Sequence, residues 1–187
     1  MYWIMLSERD NEYQYSHDDT PPQIEQYGWE FDNGQLVTDP IPVIAVPITP
    51  HPEEVLTDNI PAYGCSGLLI NERVKGVFDS IGIQNIQYFP AELIINGQPN
   101  VAHDYWIANI IGSIDCIDKS ASSLSFDPDG DIEFIESLAL KDPHKYGHIF
   151  RLSEYLPVIV ISDALKTRLE TAGISGFMIY KPDEFSL

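Results

Sequence analysis

The strongest constraint in this chain is a pattern that it contains twice. Leu69 to Pro90 and Val160 to Pro182 share one order of punctuation. Asn71 and Ser162 stand where a helix N-cap would accept from exposed backbone donors, and Glu72 and Asp163 follow, where the helix dipole favours acids. Val74, Val77, Phe78 and Ile81 recur at helical spacing in the first copy, and Leu165, Leu169 and Ala172 in the second. Gly82 and Gly173 then occupy the position where positive φ ends a helix. Ile83 and Ile174 come next, and each copy closes on an aromatic-rich strand near a proline.

The unit is therefore a capped helix, a Gly-Ile stop and a strand. Two copies are too few for a solenoid, which needs at least three. The expected fold class is α+β: a mostly antiparallel sheet with two short packed helices and a Pro-rich, acidic N-terminal strand and loop layer. Duplication and shared helix-to-strand punctuation both account for the pair.

Further strands are expected around these units. Glu92–Ile95 precedes Asn96-Gly97, a hairpin signal. Tyr105–Ile117 is long and β-branched, with Gly112 a candidate bulge. Asp131–Leu140 reads as an antiparallel strand with one wet face. His148–Leu152 and Val158–Ile161 complete the set.

The first third differs in composition. Residues 1–61 hold 12 acids and one base, Arg9, out of a formal net charge of −19 for the whole chain. They also hold eight of the 14 prolines, which remove backbone donors and fix φ, so neither helix nor central strand is expected there. Short strands are expected at Tyr2–Leu6 and at Pro42–Pro47, the latter at a sheet edge. Trp29–Val37 alternates around Asn33-Gly34 and reads as a hairpin. The expected division is an acidic segment, 1–61, packed on an α+β domain, 62–187.

A pI near 4.3 argues against nucleic acid or an anionic membrane as partner, because both require a positive footprint. No apolar run is long enough to span a bilayer. The start lacks a basic n-region, and two cysteines, Cys65 and Cys116, make no disulfide framework, so a cytoplasmic protein is expected.

Catalytic signatures are missing from the sequence: no phosphate-binding glycine loop, no nucleophile elbow, no zincin motif. His144 and His148 have zinc-compatible spacing, but Pro143 and Gly147 disfavour the helix that would align them. Asp127–Asp131 looks like a calcium-loop fragment, but Ile132 and Leu138 stand where the loop needs glycine and glutamate, so it reads as an acidic turn between strands. No metal or cofactor is expected. Cys65 with His103 or His148 has no local support as a thiol nucleophile, and Cys116 reads as a small buried hydrophobe. Asp115 and Asp118 flank an apolar pair, where Arg151 is the expected structural counter-ion; acid–base chemistry by these carboxylates or a histidine, in a hydrolytic enzyme or a small-ligand domain, is the alternative.

Two segments resemble the Imm11 (DUF1629) family of bacterial immunity proteins. Tyr105–Ser120 has the family's aromatic start, an Asn, and an ending that carries Asp115, Asp118 and Ser120. His148–Phe177 is similar to its closing pattern of two strands and a short helix ending in Ala172-Gly173-Ile174. The resemblance covers about residues 65–182. It implies a non-enzymatic protein that binds and neutralises a cognate toxin encoded by a neighbouring gene. It also makes Asp115, Asp118, Ser120 and Arg151 motif positions, read here as bracing the fold.

The acidic first third then supplies an expected toxin-binding surface for a basic partner. Asp18, Asp19, Glu30, Asp32, Glu53 and Glu54 would steer it, with Tyr27 and Trp29 as aromatic anchors.

Overall fold

The computed structural model of the chain describes residues 1–8, 20–48, 56–61, 64–65, 67–141 and 147–187, with only the backbone of residues 100–103. The fold is α+β and mostly sheet, with antiparallel pairings predominating.

The first repeat forms β4 (Leu68–Asn71), α2 (Glu72–Ser80) and β5 (Ile86–Ile95), preceded by the short β1 (Tyr2–Ser7), α1 (Pro22–Tyr27), β2 (Ile44–Ile48) and β3 (Asn59–Ile60). β6 (Gln98–Ile110) turns back from β5 through Asn96 and Gly97, both at positive φ, and lies antiparallel between β5 and β4. This first sheet runs β2-β5-β6-β4-β3. β5 continues through Pro90, with a register shift between Ala91 and Leu93, so the two expected strands there are one.

β7 (Ser113–Ile114), β8 (Ser123–Phe126), β9 (Ile132–Ser137) and β10 (Ile149–Leu152) follow, then the second repeat: β11 (Ile159–Ser162), α3 (Asp163–Thr171) and β12 (Phe177–Tyr180). The second sheet runs β12-β1-β11-β10-β7, so β1 lies between the strands of the second repeat as β6 lies between those of the first. β8 and β9 form a separate two-stranded ribbon.

The registers make the correspondence positional. Leu68, Leu69, Ile70 and Asn71 face Ala108, Ile107, Trp106 and Tyr105. Ile159, Val160, Ile161 and Ser162 face Met5, Ile4, Trp3 and Tyr2. Tyr-Trp-Ile therefore stands at the same register in both inserted strands, opening β1 and falling late in β6, with the same burial sequence. On the other side, Ile86 to Phe89 face Ile110 to Ile107, as Phe177 to Tyr180 face Ser7 to Ile4. The two units are internal counterparts, one with its inserted strand last and the other with it first.

Strand alternation sends each sheet into two cores. Leu68, Ile70, Ala108 and Ile110 from the first sheet join Met5, Ile159 and Ile161 from the second under Val74, Phe78, Leu165 and Leu169 of the two helices. On the far face of the first sheet, Leu69, Ile107 and Tyr105 pack with Ile24, Trp29 and Phe31. On the far face of the second, Ile4, Val160 and Phe150 pack with Ile135 of the ribbon and Phe185.

Four expectations fail for physical reasons. The proline-rich third does contain a helix: α1 starts with Pro22 in its first turn, where no backbone donor is needed, and stops at Gly28 with φ 64°. It also contains a central strand, because β1 precedes the prolines and carries none. Trp29–Val37 is no hairpin; Asn33 Oδ1 accepts from the Gln35 N–H at 2.9 Å and closes a local turn instead. Gly112 is not a bulge but a corner, with φ 87° and its N–H donating to Gly34 O, where the chain leaves one sheet for the other.

Candidate functional site

The capped helices position the groups that join the two halves. Asn71 Oδ1 accepts from the Arg73 and Val74 N–H groups, and its Nδ2 donates to Asp58 Oδ1 at 2.8 Å. At the counterpart position Ser162 Oγ accepts from the Leu165 N–H and lies 2.8 Å from His148 Nδ1. Asp58 and His148 correspond in backbone as well: each carbonyl accepts from the N–H of the facing cap residue, at 2.9 Å in both cases.

Beyond the cap the two joints diverge. Asp58 is 4% exposed and takes bonds from the Ser175 N–H (2.9 Å), the Ser175 hydroxyl (3.0 Å) and Arg73 Nη1 (2.8 Å to each oxygen). Burial pushes its carboxyl up, but the bonds from Ser175 and Asn71 and the Arg73 charge outweigh it and hold the group below its ordinary range. Arg73 also caps the end of α3, with Nη2 at 2.7 Å from Ala172 O. Arg73 closes this joint, although with Val77, Arg168 and Ala172 it also lines a cavity of about 400 Å³ beside it. The other is an open cavity of about 380 Å³, lined among others by Gly82, Gln84, Asn85, Gly112 and His148.

Asp115 does not meet Arg151. Its carboxylate is exposed and pairs with Lys141 Nζ at 2.6 Å. Asp118 Oδ1 accepts from the Ser120 N–H (3.0 Å) and hydroxyl (2.6 Å), closing its own turn. Those bonds, from Lys141 for Asp115 and from Ser120 for Asp118, hold both carboxyls below the usual range, so neither has a proton to donate at neutral pH.

Arg151 is buried at 3% exposure on β10. It donates to Leu156 O at 2.9 Å and to Phe31 O at 3.4 Å. Burial depresses its pKa, while the Asp32 charge opposes that. Asp32 is pushed up by its own burial, with the Arg151 charge pulling it down. The expected pairing of Arg151 with Asp115 or Asp118 is thus replaced by a link from the second sheet to the segment ahead of β2. Lys141 reaches Asp115 because an isolated bridge, Ile117 to Leu140, brings their segments together.

Of the aromatic candidates, Tyr27 is exposed and stacks on the buried Trp29 with ring centroids 4.7 Å apart. Glu30 is exposed and accepts from Asn33 Nδ2. Asp18, Asp19, Glu53, Glu54 and His144 lie outside the described residues, as does the side chain of His103. Cys65 and Cys116 are buried free thiols, each pushed up to about 12 by burial.

The family model described as "Immunity protein family (Imm11)" matches residues 21–182. The chain belongs to the Imm11 immunity protein family. No curated protein matches it. The match spans both repeats and the closed joint, and it leaves out β1, which completes the second sheet. No helix among the described residues is long and apolar enough to cross a membrane.

Sequence reasoning missed Asp58, Arg73 and Ser175 as a group. The available signal was the repeat itself: Asn71 aligned with Ser162 fixes what each cap residue faces. The ribbon carries a second acidic group that no motif in the sequence marks. Asp129, Asp131, Glu133 and Glu136 are exposed on it, with Phe134 48% exposed, and no Lys or Arg lies between residues 120 and 140.

Proposed function

We propose that this immunity protein neutralises a cognate toxin by binding it and covering its working surface, without chemistry of its own. Family membership is the observation that carries the reading. The formal charge of −19 supports a basic partner, since complementary potential raises association rates and makes them salt-dependent. The acidic ribbon and Glu30, beside the Tyr27–Trp29 stack, are acidic surface of the right kind among the described residues; Asp18, Asp19, Glu53 and Glu54 extend the same proposal along the chain.

The partner is the product of the adjacent gene, and binding takes place in the cytoplasm. Co-expression is the test. Growth of cells making that product should be restored by this protein. A product that is harmless alone, or one that still kills in its presence, overturns the reading.

A further inference from the structure

The two joints correspond residue by residue, yet among the described residues a guanidinium bridges only one of them. At the closed joint Arg73, the second residue of α2, bridges Asp58 and the Ala172 and Gly173 carbonyls at the end of α3. The counterpart of Arg73 on α3 is Ala164, also second after its cap, which has no side chain to extend. The counterparts of Asp58 and Gly173 are His148 and Gly82, and both line the open cavity. The empty space in one half thus borders the positions that a guanidinium joins in the other.

The cavity lies just beyond α2, where the helix dipole is negative. The Val77, Phe78 and Asp79 carbonyls already accept from Ser80 Oγ, the Ile83 N–H and the Gly82 N–H, so a guanidinium would cap the positions after them, Ile81 and Gly82, the counterparts of Ala172 and Gly173. A guanidinium carries five donors in a planar fork and no acceptor, and it caps several carbonyls at once in a way an ammonium does not. With Nδ1 engaged by Ser162, His148 keeps its other ring nitrogen to present, and Gln84 adds an amide oxygen. Without the carboxylate that Asp58 provides, the site is a weaker copy of the closed joint, suited to a side chain delivered by a larger interface.

We propose that this cavity receives an arginine side chain of the toxin, in the role that Arg73 plays at the closed joint. The proposal rests on the reading that the chain binds a basic partner, and it adds the contact by which that partner is read. The binding step is noncovalent.

The test uses the full chain and N-acetyl-arginine methylamide, followed by amide chemical shifts. Gly82, Asn85 and His148 should shift saturably, and the lysine analogue should shift them much less. Ala164→Arg supplies the guanidinium from within the chain; it should abolish the response and weaken toxin binding about tenfold or more. His148→Asp restores the carboxylate of the closed joint and should tighten probe binding severalfold.

Absent shifts, an equal response to lysine, or a response unchanged in either variant overturns the site. An Ala164→Arg protein that binds toxin as tightly as the parent overturns the toxin's arginine as its occupant. Failure of the unaltered protein to protect cells is a separate result and falls on the immunity reading, while the probe titration still decides the site.

Discussion

Asn59 and Asn85 hold counterpart contacts from opposite sides. Asn59, on β3, donates from Nδ2 to Gly176 O at 2.9 Å. Asn85, the counterpart of Gly176, donates from Nδ2 to Ile149 O at 3.0 Å, and Ile149 is the counterpart of Asn59. One joint carries its amide on the strand and the other on the turn. The backbone agrees, since the Glu8 N–H donates to Gly176 O just as the Ile111 N–H donates to Asn85 O.

That exchange explains why residue 176 is glycine. A Cβ there would lie 2.0 Å from Asn59 O, whereas at Gly82, with a similar positive φ, nothing lies within 4 Å. Gly82→Ala should cost about 1 kcal/mol for backbone conformation alone. Gly176→Ala should cost clearly more, because β3 must move. Urea unfolding of the two variants checks this, and equal losses would show that the close approach carries no energy.

The acid limb of stability should depend on Asp58. Its folded-state pKa is depressed, so its contribution is fully present above the unfolded value of about 4 and is lost as pH falls through the folded value. Urea midpoints measured from pH 6 to pH 2.5 should fall less steeply in Asp58→Asn than in the parent. Parallel curves would remove Asp58 from the account.

Arg151→Ala should lower stability by about 3 kcal/mol, with the Phe31 and Leu156 carbonyls losing their donor and the half-buried Asp32 losing its nearby charge. Asp115→Ala, which touches an exposed pair, should change it by less than about 1 kcal/mol. A thermal melt of the Arg151 variant matching the parent's would contradict the first statement.

The thiols of Cys65 and Cys116 should be inert to a disulfide reagent at pH 8 in the folded protein and react fully in denaturant, because burial raises both to about 12 and withholds the thiolate. Fast labelling of either in the native state would count against this burial.

Reversing Asp129, Asp131 and Glu133 to Lys should slow toxin association severalfold and flatten its salt dependence, leaving dissociation nearly unchanged. Stopped-flow mixing at several salt concentrations separates the two rates. An unchanged association rate would move the interface off the ribbon.

The helices were legible because capping is local: Asn71 and Ser162 announce themselves within four residues of the groups they serve. The hairpin at Asn96-Gly97 was legible for the same reason. What escaped was pairing across long separations. Proline content describes which backbone donors are missing, and it says nothing of Tyr2–Ser7, six residues with every donor intact. Alternation shows which face Arg151 takes but not which segment covers that face, so its partner is not legible from the strand alone. The cover is Phe31, 120 residues away in sequence.

Placing β1 inside the second sheet has a consequence for synthesis. Tyr2, Ile4 and Met5 leave the ribosome well before their strand partners Ser162, Val160 and Ile159, which come more than 150 residues later. The first unit can close on contacts made within one stretch of chain. The second cannot, and until it does an apolar strand with two open edges waits in the nascent protein. Contacts of that separation are slow to form, and exposed edges are where chains associate wrongly.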